Sequence, residues 1–508
     1  MSQGKEDAGP VRRTRSQAEV PLSLNPDEFR RAGHALVDRI ASELADLPER
    51  PVTPGKAPDE IRDILGADRP IPEDGQSLEL ILDEASDLLF QNSLYNGHPR
   101  FFGYITASPA PIGILGDLLA SAVNPNVGGW TLSPMASEIE GQTLRWIAEL
   151  IGYPTDCGGL LVSGGNVANI VGFWAARAAA GAPWRIRETG ANASQARQLV
   201  AYVSQETHTW IQKASDLSGL GTDAVRWIAT DEHLRMDVEA LRAAIRKDRQ
   251  KQLQPFLVVG TAGSVSTGAV DPLPAIAEVC KQEGLWFHVD GAYGGFAAAA
   301  PEAPTDLAGM AEADSVTVDP HKWLYAPLEV GCALVRRPEA LRDAFAYHPP
   351  YYYFGVEATN YVEYGLQNSR GFRALKVWLQ LRQAGRSGYR KMISQDIQLC
   401  NRLQRLVEAH PELEPIAHGL SICSFRYVPS ELRERLEEED VEPYLNKLNQ
   451  TIQDHLERSG EVFVSNVVVG GRYALRACIV NINTTLEDVE ALPEVIARIG
   501  RQVHEESP

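Results

Sequence analysis

Between about residues 110 and 375, short β-rich runs alternate with helical stretches, and this alternation constrains the fold more than any other feature of the chain. Leu199–Val203, Phe256–Val259, Leu285–Val289, Ser315–Val318 and Cys332–Val335 read as strands. The patterns at 166–180, 237–247 and 272–283 read as helices between several of them. Strand, helix, strand in this order predicts a mostly parallel sheet covered on both faces, hence an α/β domain. Ligands of such sheets sit beyond the carboxyl ends of the strands. That edge is where the chemistry should be sought.

Two segments deliver reactive groups there. Trp-Phe-His-Val-Asp-Gly-Ala-Tyr-Gly-Gly (286–295) ends an apolar run at Asp290, and Ser-Val-Thr-Val-Asp-Pro-His-Lys-Trp (315–323) carries Lys322 just past the next run. Asp290 alone could be a helix cap, and Lys322 alone could be a solvated lysine. Together they supply the amine and carboxylate that pyridoxal phosphate chemistry uses: a lysine to form a Schiff base with the aldehyde, and an acid to pair with the pyridinium nitrogen. Upstream, Leu-Val-Ser-Gly-Gly-Asn-Val-Ala-Asn (161–169) places two glycines before a helix, where backbone N–H groups can approach a phosphate. No Gly-Lys-Ser/Thr follows, so this is not a Walker motif. His208 follows the strand at 199–203; its ring could stack on the pyridine face, or it could be an ordinary polar residue at a helix start.

The rest of the chain brackets this domain. Asn25-Pro26 followed by Phe29, Leu36, Val37, Ile40 and Leu44 predicts a capped amphipathic helix. The proline- and charge-rich stretch 49–75 reads as an extended connection, and Leu78 to Leu89 as another amphipathic helix. A helical connection spans 371–410. Beyond it, Ser421–Tyr427, Val462–Val468 and Ala474–Ile482 read as strands, with helices at 443–458 and 486–503. The expected division is a disordered tail (1–22), an N-terminal helical segment (23–110), a large domain (111–375) and a small α+β domain (376–508). The formal charge of −19 argues against a nucleic-acid partner. No apolar run is long enough to span a bilayer. Scattered cysteines at 157, 280, 332, 400, 423 and 478 show no metal-ligand spacing and suit a reducing compartment, so a cytoplasmic location is expected.

With these motifs in order, the chain resembles the group II pyridoxal-phosphate-dependent amino acid decarboxylases, aromatic-L-amino-acid decarboxylase among them, from about Asn25 to Gly500. The resemblance implies fold type I of the pyridoxal-phosphate-dependent transferases, with a mostly parallel seven-stranded sheet in the large domain. It assigns Lys322 the Schiff-base role, Asp290 the ring nitrogen and His208 the stacking position. Ala292 goes beneath the ring, and Gly164, Gly165, Asn166, Ser264 and His321 join the cofactor site. Asp319 stands where the family more often has Asn, which puts its phosphate contact in question.

Tyr351, in Tyr347-His-Pro-Pro-Tyr-Tyr-Tyr-Phe, matches the family's loop tyrosine and would protonate the α-carbon. Phe at that position tends to divert the reaction to oxidative deamination. Phe102, Tyr104 and Thr106, in His98-Pro-Arg-Phe-Phe-Gly-Tyr-Ile-Thr, resemble the substrate-pocket segment, although core packing is an equal reading for the two aromatics. Ser369 falls where relatives vary with phenol or indole preference. The implied activity is carboxy-lyase chemistry on an L-amino acid, by preference aromatic, in a homodimer whose active site lies at the subunit interface. Acidic or other non-aromatic substrates (glutamate, 2,4-diaminobutyrate, cysteine sulfinate) and aldehyde synthesis are the alternatives on the same scaffold.

Overall fold

The structure is a computed structural model and describes residues 20–194, 196–348 and 358–506. The chain forms two compact units, one up to Leu94 and one from Tyr95 onward. The first unit is helical. The Asn25 side chain accepts hydrogen bonds from the Asp27 and Glu28 amides, and the Glu28 carboxylate accepts one from the Asn25 N–H, a complete capping box for the helix Pro26–Asp46. Within the unit this helix buries none of its residues. Helices Pro58–Leu65 and Leu78–Asn92 follow. The first lies inside the stretch that reads as extended; Pro58 begins it and Gly66, at φ 64°, ends it, so proline and glycine here bound a helix instead of excluding one.

Seven strands build the large sheet: β1 (Gly158–Val162), β2 (Leu199–Ser204), β3 (Val225–Ile228), β4 (Gln254–Thr261), β5 (Trp286–Asp290), β6 (Ser315–Val318) and β7 (Gly331–Val335). Their order is β1-β7-β6-β5-β4-β2-β3. From β3 to β6 all neighbours are parallel, whereas β7 runs against both β6 and β1. Every residue of β1, β2, β5, β6 and β7 is buried, as a sheet covered on both faces requires. The alternation in the sequence locates β2 and β4 to β7. It passes over β1, which opens on two glycines, and edge strand β3, where Arg226 and Trp227 interrupt the apolar run.

Four antiparallel strands form the second sheet: β8 (Leu413–Gly419), β9 (Ile422–Tyr427), β10 (Ser465–Val469) and β11 (Arg472–Cys478), in the order β10-β11-β9-β8. Helices Val441–Ser459 and Leu486–Glu506 bury Leu445, Ile452, Leu492 and Ile496 in a core shared with Phe425 and Leu475. The expected boundaries shift at both ends of the large domain. Residues 95–110 belong to the second unit, where Phe102 N donates to Phe463 O (2.8 Å) and Cys478 N to Phe102 O (2.8 Å). No linker separates the two cores, because the helix Ala374–Ala409 serves both. Its Val377, Tyr389 and Ile393 pack beside the large sheet, and its Cys400, Leu403 and Val407 join the small core. Gly385 (φ 63°) interrupts it. Among the described residues, no helix is long and apolar enough to cross a membrane.

Candidate active site

Strand direction brings the site together. β4, β5 and β6 are parallel and end at one edge, so Asp290, the last residue of β5, faces the segment that leaves β6. That segment is Asp319 followed by the one-turn helix Pro320–Trp323, which carries Lys322. β1 runs parallel to β6 because both oppose β7, so the turn at Ser163–Gly164 opens at the same edge. Gly331, the first residue of β7, lies against that turn: a Cβ there would be 2.4 Å from the Gly164 backbone.

The helix Gly165–Gly181 begins with Gly164 at φ 90° and no capping side chain. Its first intrahelical bond is Ala168 N to Gly164 O (3.1 Å), so the three amides before it point out of the helix end. A Cβ on Gly165 would sit 2.5 Å from Asp319 Oδ2 and 3.2 Å from Ala292 Cβ. Glycine is therefore required sterically, and the open helix end is a cradle suited to an anion.

Asp290 is 7% exposed. Its Oδ2 accepts from Trp210 Nε1 (2.7 Å) and its Oδ1 from Ala292 N (3.2 Å), which fixes the carboxylate. Trp210 in turn meets the His288 ring edge-on at 5.6 Å. Both nitrogens of that ring are engaged, Nδ1 with Ser315 Oγ (2.7 Å) and Nε2 with Asn169 Oδ1 (2.8 Å). Burial holds the His288 imidazole well below its usual range, so this supporting ring is neutral.

His208 Nδ1 accepts from Trp210 N (3.3 Å), which leaves the neutral ring's proton on Nε2. Burial lowers the His208 pKa against the pull of Asp290. Lys322 Nζ lies 3.3 Å from Asp319 Oδ2, and His321 Nε2 lies 3.7 Å from the same oxygen. Burial pushes the Asp319 carboxyl up, while Lys322 and His321 oppose the shift. Asp319 Oδ1 is buried with no hydrogen-bond partner, an orphan acceptor at the cradle wall. His321 is held by a 2.6 Å bond from Nδ1 to Val330 O.

A cavity of about 440 Å³ gathers nine of the predicted residues: Gly164, Gly165, Asn166, His208, Asp290, Ala292, Asp319, His321 and Lys322. A larger one of about 850 Å³, beside Arg177 and Arg187, contains none of them. Ser264 stays out of the lining; its hydroxyl pairs with Thr267 Oγ1 (2.8 Å), although Gly263 and Val265 beside it do line the cavity. Phe102 takes the core-packing alternative of its two readings, fully buried in the core of the small domain. Tyr104 is 55% exposed and leans on Phe463 at 5.9 Å. Thr106 is half-buried and Ser369 exposed, both outside the lining. Tyr351 lies outside the described residues. Sequence reasoning gave no role to Trp210, Asn169 or Tyr293. It also passed over Arg476, a buried guanidinium on β11 bonded to Ser465 Oγ (3.0 Å) and to the Val265 carbonyl. An arginine within the apolar run 474–482 was the available signal.

An amine, a fixed carboxylate and an open helix end around one cavity at the carboxyl edge of an α/β sheet define a pyridoxal phosphate enzyme. The pyridoxal-dependent decarboxylase conserved domain matches residues 58–428, and the chain belongs to that family of amino acid decarboxylases. Aromatic-L-amino-acid decarboxylase of Bacillus atrophaeus is 32% identical over 95% of this chain and 97% of its own. A phenylacetaldehyde synthase of a Rosa hybrid cultivar is 28% identical over 90% of this chain and 92% of its own. Among solved structures, Oryza sativa TDC with PLP and tryptamine matches with a TM-score of 0.87 at 27% identity, covering 94% of this chain and 99% of that one.

Proposed function

We propose that this lyase converts an aromatic L-amino acid to the corresponding amine and carbon dioxide, and that a second copy of the chain completes its site. The observation that carries the reading is the meeting of Lys322, Asp290 and the uncapped helix end around one cavity. When bound, pyridoxal phosphate supplies the electron sink that receives the bonding pair left by departing carbon dioxide. The residues present fit it. The amides of Gly165 and Asn166, with His321, would hold its phosphate, and Ala292 and His208 would lie against its ring. Asp290, immobilised by Trp210 and Ala292, would keep a proton on the ring nitrogen. Lys322 Nζ is the amine that carries the cofactor, and Asp319 Oδ2 at 3.3 Å is the nearby acceptor for a proton that Nζ sheds. Tyr351 is the proposed general acid at the α-carbon.

The aromatic preference draws on the relatives and on the charges of the lining. Glu329 pairs with Arg373 (2.9 Å), and Lys322 and His321 face Asp319. Lys322 and His321 are thus already engaged by Asp319, which disfavours an acidic substrate side chain. Tyrosine, not phenylalanine, at position 351 favours amine over aldehyde.

The second copy is supported by apolar faces that nothing in the described chain covers. Leu115, Leu118 and Leu119 are more than half exposed along one side of the helix Pro111–Val123, and Phe29 in the first unit is 63% exposed. The six free cysteines fit a reducing compartment such as the cytoplasm. Incubation with a panel of L-amino acids, measuring carbon dioxide, amine, aldehyde and peroxide, tests the reading. Amine matching carbon dioxide from aromatic substrates is expected; keto acid without carbon dioxide overturns it.

A further inference from the structure

The segment that follows Lys322 is gripped from one side by a single helix. Three buried polar side chains of the helix Ala374–Ala409 reach residues 323–325. Gln380 Nε2 donates to the carbonyls of Leu324 (3.1 Å) and Tyr325 (3.0 Å), and Tyr389 Oη donates to the Leu324 carbonyl (3.2 Å). Asp396 Oδ2 accepts from both Trp323 Nε1 (2.8 Å) and Tyr325 Oη (2.7 Å). Asp396 is therefore the only one of the three that reads side chains, and those side chains belong to the first and third residues after the lysine.

Trp323, the residue after Lys322, stacks on Tyr293 at 5.1 Å, and Tyr293 lines the cofactor cavity. Tyr325 takes a left-handed backbone (φ 56°), which is strained for a residue with a Cβ. Such a conformation persists where its surroundings over-determine it. The Tyr325 amide bonds back to the Lys322 carbonyl (3.2 Å), so this strained residue sets the end of the turn from which Nζ projects.

We propose that Asp396 is a positioning residue: through Trp323 and Tyr325 it fixes the base of Lys322, and thereby the place of Nζ at the cofactor. The inference rests on reading Lys322 as the cofactor-bearing amine. Burial in apolar surroundings makes a carboxylate costly at this point of the helix, between Ile393 and Cys400 on its buried face, and packing alone would be served by an apolar residue. The two donors it receives account for its presence.

The test compares Asp396→Asn, whose carbonyl oxygen can accept both bonds, with Asp396→Leu, which accepts neither. Trp323→Phe and Tyr325→Phe, each removing one donor and keeping the ring, serve if Asp396→Leu does not fold. Borohydride fixation and peptide mapping on the parent enzyme first establish whether Lys322 carries the cofactor, which separates failure of that reading from failure of this one. In the Asp396→Leu enzyme, kcat per bound cofactor should fall about 10- to 100-fold, the scale of an ångström's misplacement. Substrate KM should move little, and the pH at which the bound cofactor's visible band titrates should shift. Asp396→Asn should restore most of kcat and the parent titration. A lower melting temperature of the apoprotein with unchanged kcat per cofactor and unchanged band titration in Asp396→Leu, or in both single-donor variants, would overturn the proposal.

Discussion

The cofactor side of the cavity and its expected substrate side are built differently. On the cofactor side, Asp290 ends β5, while His208, Lys322 and the Gly164–Gly165 turn follow β2, β6 and β1 of the same sheet, and all meet within one chain. On the other, Phe102 is consumed by the small-domain core, Tyr104 and Ser369 face outward, and Tyr351 lies outside the described residues. The contrast is that the groups proposed to hold the cofactor meet within one chain, whereas the described residues expected to select the substrate do not.

The sharpest way to break this comparison is Lys322→Ala. It should abolish turnover and leave no cofactor fixed by borohydride, read by peptide mapping; retained turnover would remove the lysine from the centre of the site. Asp290→Ala should follow, with kcat reduced by about 10²-fold or more, since each unit lost from the ring nitrogen's pKa is worth about 1.4 kcal/mol. Loss of the carboxylate also leaves Trp210 Nε1 without its 2.7 Å acceptor, so the apoprotein's melt should be recorded beside the rate. Phe102→Ala should cost about 3–5 kcal/mol of stability, as burial of a large side chain predicts, with KM nearly unchanged in whatever enzyme folds. Tyr104→Phe should do the reverse, sparing the melt while altering KM or substrate preference. An unchanged melt in Phe102→Ala would return that ring to the pocket.

The smallest effect is a pH dependence of the apoprotein. Burial pushes the Asp396 carboxyl up to about 8, against the pull of Tyr325 and Trp323. A carboxyl whose pKa is raised on folding contributes stability that is complete below its unfolded value near 4 and is lost as pH rises through the folded one. The groups that face it, Tyr325, Tyr389, Cys400 and Cys478, are themselves pushed upward by burial, so they stay protonated across this window. The stability difference between Asp396→Asn and the parent should therefore grow in favour of the variant from pH 4 to 8. Parallel curves in thermal melts would contradict it.

Much of the cofactor side was legible because each group lies in a short motif at a strand end, where strand direction alone sets its destination. The substrate side was not. Position in a motif such as 98–106 does not say which way a side chain turns on an irregular segment, and Phe102 turned inward. Asp396 and Arg476 lie on elements remote in sequence from the segments they bond, residues 323–325 and Val265. The clue they offered was a charge on a buried face, next to Ile393 and Ile397 in one case and inside β11 in the other. β1 escaped because its glycines, which weaken a strand signal, are there for close packing: a Cβ on Gly158 would meet Pro338 Cα at 2.8 Å, and one on Gly159 the Ala333 carbonyl at 2.6 Å.

β7 opposes both of its neighbours, and that reversal seats Gly331 on the Gly164 backbone. Two loops far apart in the gene thus share one wall with no room for a methyl group. Any side chain at position 331 would have to move the turn at 164, so a change at one position is felt at the other. Anyone recombining segments of related chains to alter specificity should place no crossover between these positions unless both parents carry glycine at each.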